Sequence, residues 1–93
     1  MLDGQSFVWD REKVSGSVSR HGIRFELARE PFLDPLARYE DAGPREEERY
    51  ACIGLAPDYR LLHVVFIIRE DDVLRLISAR AAEPAERSRY EDE

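Results

Sequence analysis

The side chains best equipped for chemistry in this chain are basic ones. Lys13 is the sole lysine among 14 basic residues, and the rest are arginines. Arginine carries a permanent charge on a planar fork that matches phosphate and carboxylate oxygens. The two histidines, His21 and His63, titrate nearest to neutrality and suit acid or base work. They lie far apart and lack metal-ligand spacing. Cys52 is the single cysteine, so one chain has neither a disulfide nor a cysteine-based zinc site. No metal or cofactor is expected. Ordinary roles compete for several of these residues. His63 sits inside an apolar run and reads as a satisfied core or sheet-face histidine. Cys52 alternates with Tyr50 and Gly54 and reads as a small apolar filler. Trp9 reads as core.

The elements that must position these residues follow from periodicity and punctuation. Ser6–Trp9 reads as a short strand, with Phe7 and Trp9 on one face and Val8 on the other. Asp10 is an N-cap candidate for a helix over Arg11–Arg20, in which Val14 and Val18 form the apolar stripe and Gly22 is the stop. A second helix is expected over Arg24–Glu30, ended or kinked by Pro31. Asp34-Pro35 marks a turn, and Leu36–Glu40 is a weak strand candidate. Arg49–Leu55 reads as a strand after a loop at Asp41–Arg45. Leu61–Arg69, rich in Val and Ile, reads as a strand buried on both faces. Asp71-Asp72 reverses the chain, and Val73–Ala79 returns as the antiparallel partner. Pro84 opens a short helix over Ala85–Tyr90. The order β, α, α, an antiparallel meander of three or four strands, then α, gives an α+β fold. The two N-terminal helices are expected to cover one sheet face and leave the other for solvent, partner or substrate.

Size and charge bound the function. At 93 residues and 10.8 kDa the chain is expected to form one domain over residues 1–93. With 43% hydrophobic residues it is not a disordered polyelectrolyte. The longest apolar run, Leu61–Ile68, is interrupted by His63 and is far short of a membrane span. No secretory signal is visible, so a cytoplasmic protein is the default. A net charge of −6 argues at first against nucleic acid. That acidity is local, however. Residues 40–48 hold five acids and one arginine, and Glu91-Asp92-Glu93 adds three more acids. The remainder is close to neutral and rich in arginine, so a local basic cleft is compatible with the composition. The acidic loop is itself a candidate contact for a basic partner.

The residues also resemble a known family. Phe7-Val8-Trp9-Asp10, Lys13, Arg20-His21-Gly22-Ile23, Phe25 and Ala28 are similar to the opening of the BrnT toxins. Glu48-Arg49 with Gly54 resembles that family's E-R and G pair on one strand. Arg75-Leu76-Ile77-Ser78-Ala79-Arg80, Ala82, Glu86-Arg87 and Tyr90 resemble its closing R-I-I-S-A-R, A, E-R and Y. Ser17 stands where the family usually has Asn, and Arg20 where it usually has Lys. The resemblance implies a RelE-like fold and the toxin of a type II toxin–antitoxin system. It further implies metal-independent cleavage of RNA that inhibits translation, and neutralisation by a BrnA-like ribbon-helix-helix antitoxin in a 2:2 complex. DNA would be met only indirectly, through that antitoxin. The alternative is a catalytically weak antitoxin-binding module acting mainly in operon autoregulation.

Such cleavage needs a base for the 2′-OH, cations for the phosphorane and an acid for the leaving 5′-oxygen. The candidate catalytic residues are Arg80, Arg49, His21 and Glu86. Arg80 and Arg49 would hold phosphate; the competing roles are ion pairs with Glu83 or Glu86 and with the acidic run before Arg49. His21 would be an acid, a base or a 2′-OH contact, against a helix C-cap role. Glu86 would act as base or orient Arg80, against a solvated helix glutamate. The candidate RNA-binding residues are Lys13, Arg20, Arg75 and Tyr90. Lys13 is expected two helical turns from His21. Arg75 is expected on an open face in alternation with Val73, Ile77 and Ala79. Tyr90 would stack on a base or pack the last helix on the sheet.

Overall fold

A computed structural model of the chain describes residues 5–10, 18, 20–43, 48–68 and 72–92. Five strands form one sheet in the order β1-β5-β4-β3-β2. They are β1 (Phe7–Trp9), β2 (Arg38–Asp41), β3 (Tyr50–Leu55), β4 (Leu61–Ile68) and β5 (Leu74–Ala81). Strands β2 to β5 are the expected antiparallel meander. The first strand lies parallel to β5, pairing Phe7 with Leu74 and Trp9 with Leu76, so the sheet is mixed. The architecture is α+β. Two described residues in the connections between strands are non-glycine and lie in the left-handed region: Tyr59 at φ 68° after β3, and Asp72 at φ 61° before β5. Asp tolerates that conformation better than most residues.

One sheet face, here the packed face, carries the core. Leu62, Val64 and Phe66 of β4 point into it with Cys52 of β3, Leu74, Leu76 and Ala79 of β5, and Trp9 of β1. The expected alternation of Phe7 and Trp9 is therefore observed. Trp9, 7% exposed, meets the ring of Phe25 edge-on at 5.3 Å. Cys52 is fully buried, and burial pushes its thiol up to about 12.

The cover over this face differs from the expected pair of regular helices. The segment Arg11–Arg20 falls mostly outside the described residues. Where it is described, Val18 bridges Arg24 and Arg20-His21 forms a turn, so a helix does not run on to Arg20. Gly22, at φ 82°, supplies the positive φ of that turn. The next helix is a single turn, α1 (Phe25–Ala28), followed by a 3₁₀ helix at Glu30–Leu33. Pro31 does not simply stop the helix. It begins a tighter turn that fits its missing N–H and drops Phe32 into the core between Phe7 and Phe66, at 5.2 and 5.0 Å. Gly54 makes this approach possible: a Cβ there would lie 2.7 Å from the Pro31 carbonyl oxygen.

The face opposite is not left wholly open, which corrects the expectation. The last helix, α2 (Pro84–Glu91), packs beside one end of it. Pro84 stands at the first turn as expected.

Candidate active site

Register decides which side chains share this second face. His63 pairs with Ile53 on one side and Arg80 on the other, and Ile53 pairs with Arg38. Cross-strand partners point to the same side of a sheet, so Arg80, His63, Ile53 and Arg38 form one row. The next row is Ser78, Val65, Ala51 and Glu40. A third contains Val8, Arg75 and Ile67.

A bulge in β5 brings the two arginines of that strand together on this face. Val65 pairs with Ser78 but Phe66 pairs with Leu76, leaving Ile77 as an extra residue. Arg75 and Arg80 are an odd number of positions apart and would face opposite sides of a regular strand. The extra residue resets the alternation, turning Arg80 onto the face of Arg75 and Ala79 into the core. The expected alternation of Arg75 with Ile77 and Ala79 is thus broken. The rows of Arg75 and Arg80 are about 13 Å apart along the sheet.

At the α2 end the row becomes an ion network. Arg80 presents its fork to Glu86, with Nη1 donating to Oε1 at 2.8 Å and Nη2 to Oε2 at 2.7 Å. Glu86 also accepts the backbone N–H of Glu83 at 2.8 Å, which fixes its rotamer at the first turn of α2. Glu83 lies 3.9 Å from Arg80. The Arg80 guanidinium, with the Glu83 amide, holds the Glu86 carboxyl down to about 2 despite its burial. The ion pair that competed with a phosphate role for Arg80 is therefore the state seen, and Glu86 is a buried partner rather than a solvated glutamate. Nearby, Arg89 donates to both oxygens of Glu40 at 2.6 and 3.1 Å, and Arg38 reaches Glu40 and the Arg89 carbonyl at 3.2 Å each.

His63 belongs to this network, which its sequence context concealed. Its Nε2 lies 3.4 Å from Glu86 Oε2, while Nδ1 is buried with no hydrogen-bond partner among the described residues. It is a sheet-face histidine but not a satisfied one. Burial and the Arg80 and Arg89 charges hold it below the usual histidine range, against the opposing pull of Glu86 and Glu40. A signal was present. A hairpin reversing at Asp71-Asp72 pairs residue 63 with residue 80 by simple counting.

The other candidates lie elsewhere. Tyr90 donates its hydroxyl to Asp34 at 2.6 Å. That contact packs the end of α2 onto the body, the structural alternative to base stacking. Arg49 is half-buried just before β3, its carbonyl accepting the Ala42 N–H. By strand alternation it continues the row of Arg75 and Ile67. It stands at the opposite end of β3 from the row of Arg80. Arg20 and His21 are exposed in the turn before α1. Lys13 lies outside the described residues. The chain leaves β1 at Asp10, whose N–H is bonded to the Leu76 carbonyl, so the segment carrying Lys13, Arg20 and His21 begins beside β5. The structure thus joins Arg80 with Glu86, places Arg75 on their face, and does not bring His21 or Arg20 into contact with them.

Among the described residues, no three His, Cys, Asp or Glu side chains are grouped to hold a metal ion. Among the described residues no helix is long and apolar enough to cross a membrane. A family model described as the ribonuclease toxin, BrnT, of type II toxin–antitoxin systems matches residues 9–86, which run from Trp9 at the end of β1 through all of β2 to β5 to Glu86 itself. No curated protein matches the chain.

Proposed function

The chain belongs to the BrnT family of ribonuclease toxins of type II toxin–antitoxin systems, and from that membership we propose that it cleaves RNA on the second sheet face, without a metal, and so inhibits translation. The family match over residues 9–86 carries the activity. The shared face of Arg75 and Arg80, reached through the bulge at Ile77, carries the location. The chain acts as a single domain over 1–93 with a RelE-like arrangement, in the cytoplasm.

In this reading Arg80 holds the reacting phosphate, since a guanidinium fork donates to two oxygens of a phosphorane as it donates to two of a carboxylate. Before RNA binds, Glu86 holds Arg80 in place by the paired bonds at 2.7 and 2.8 Å. Arg75 and Arg49 steer flanking phosphates at the far end of the face. Lys13, Arg20 and His21 approach from the segment after β1, with His21 serving as acid or base toward the 2′-OH or the 5′-oxygen. A phosphate must displace Glu86 from the fork, so an RNA phosphate and the carboxylate compete for one seat. The partner is a BrnA-like ribbon-helix-helix antitoxin in a 2:2 complex, and the acidic segment 40–48 offers it a basic-seeking contact.

The test is expression of the whole chain alone in a bacterial host, with growth and RNA integrity as readouts. Growth arrest with RNA cleavage is expected for the wild type. Arg80→Ala is expected to lose at least two orders of magnitude in cleavage, on the scale of removing an oxyanion-binding donor (about 10²–10³). Wild type and Arg80→Ala equally harmless would sink the enzyme reading. That outcome would leave antitoxin binding as the function.

A further inference from the structure

His63 is a buried titratable group that the proposed reaction does not use. It sits directly across from Arg80 in the β4–β5 register. Its Nε2 is 3.4 Å from the same Glu86 oxygen that Arg80 Nη2 holds at 2.7 Å. Charged groups face it from three elements: Arg80 from β5, Glu86 and Arg89 from α2, and Glu40 from β2. Strand β3 contributes Ile53, its register partner. Glu86 is therefore placed between a guanidinium that grips it and an imidazole that only touches it. The carboxylate cannot simply leave, because the Glu83 amide ties Oε1 to the start of α2.

We propose that His63 is a positioning residue for the phosphate site: when an RNA phosphate takes the fork of Arg80, His63 takes up a proton from solvent and receives the Glu86 carboxylate that Arg80 releases. The inference rests on the reading of Arg80 as a phosphate ligand. Its physical basis is charge conservation in a poorly solvated place. If phosphate entered and nothing else changed, Glu86 would become a buried carboxylate without a cation, next to an incoming anion. Breaking one partner from a buried pair in this way is strongly unfavourable. One proton on His63 cancels the one negative charge that enters. The imidazolium needs no long movement to do it, since Nε2 already lies at contact distance. Glu86 then stays on the Glu83 amide while Arg80 turns to the substrate. Phosphate binding is thereby linked to uptake of one proton.

The experiment measures binding of the full chain to an oligoribonucleotide blocked at its 2′-oxygens, at constant ionic strength, from about pH 5.5 to about pH 8. Phosphodiesters do not titrate there. The wild type is expected to lose affinity as pH rises, with a slope approaching about tenfold per pH unit where free and bound His63 differ in protonation. His63→Gln is expected to bind with a much flatter profile than the wild type. A wild-type slope in His63→Gln overturns the inference. Should that variant fail to fold, the His63 imidazole carbon resonance of the wild type decides near neutral pH. It is expected to move to its protonated position as oligonucleotide is added, and a resonance that stays neutral at saturation overturns the inference. Arg80→Ala separates the two layers. If it binds as the wild type does, the phosphate reading of Arg80 falls and this inference with it. If it loses binding while His63→Gln keeps the slope, only this inference falls. Absence of binding by the wild type at every pH overturns both.

Discussion

The two faces of one sheet are held by different forces. On the packed face Phe7, Phe32, Phe66 and Tyr50 meet ring to ring at 5.0–5.8 Å, and Leu62, Val64 and Leu76 are fully buried. On the second face, the only residue of α2 that is buried is Glu86, a carboxylate. Its neighbours along that helix reach the body through Arg89 on Glu40 and Tyr90 on Asp34. Apolar burial on the first face is insensitive to pH and falls only when the whole domain unfolds. Ion pairs on the second are exchangeable, so a substrate anion can compete for them. The same strands serve both demands because side chains alternate, and β5 needs an extra residue to do so.

The largest effect should therefore come from the packed face. Phe66→Ala removes a ring that touches Phe32, Tyr50 and Tyr39, at centroid distances of 5.0, 5.8 and 6.4 Å. The expected cost is about 3–5 kcal/mol, a large share of what a domain of this size has to lose. Denaturant melts followed by circular dichroism should show one cooperative transition at lower midpoint. A variant that melts α2 alone would break the comparison.

Glu86→Gln tests the other face and should cost less, about 1–2 kcal/mol near neutral pH, because one partner keeps some solvent. The pH dependence sharpens the distinction. The folded Glu86 sits at about 2, below its ordinary 4.5. A depressed carboxyl contributes stability above its unfolded value, and this is lost as pH falls through the folded one. The gap between wild type and Glu86→Gln should thus be full above pH 4.5 and close toward pH 2. The Phe66→Ala gap should persist over the same range. A Glu86→Gln gap that survives at the acid end would mean that shape rather than charge holds this face.

The packed face was the more legible of the two. The Val- and Ile-rich run at Leu61–Ile68 and the alternation of Phe7 with Trp9 are local patterns of period two, and both appear in the fold. Pro84 at the start of α2 is likewise a local signal. What escaped the sequence was set by pairing across strands. The parallel seat of β1 against β5 has no local signature. The bulge at Ile77 leaves no turn residue to betray it, yet it decides that Arg75 and Arg80 face the same way. His63 looked apolar because its neighbours in sequence are apolar, while its neighbours in space are Arg80 and Glu86. Helix length failed at Pro31 for a tertiary reason, the close seat that Gly54 gives the 3₁₀ turn.

The smallest effect, and the finest probe of the second face, is Tyr90→Phe. The hydroxyl bond to Asp34 at 2.6 Å closes a junction in which the same carboxylate accepts the amides of Leu55 at 2.8 Å and Leu36 at 2.9 Å. Burial works against the Asp34 charge, but the hydroxyl and the two amides outweigh it and hold the group below its ordinary value. Removing the hydroxyl leaves both amide bonds in place, so the turn at Asp34 should persist and the loss should be about 1 kcal/mol. That loss should fall on α2, as faster amide exchange in Pro84–Glu91 with unchanged exchange in β3 and β4. The ring survives in the variant, so a stacking role for Tyr90 predicts normal RNA binding and unchanged α2 exchange. An anchoring role predicts a looser α2 and, because Glu86 rides on that helix, weaker orientation of Arg80 and slower cleavage. Tyr90→Ala removes ring and hydroxyl together and should add an effect on binding only if the ring meets RNA. The pair of variants thus separates a helix held down by a hydrogen bond from an aromatic platform at the edge of the site.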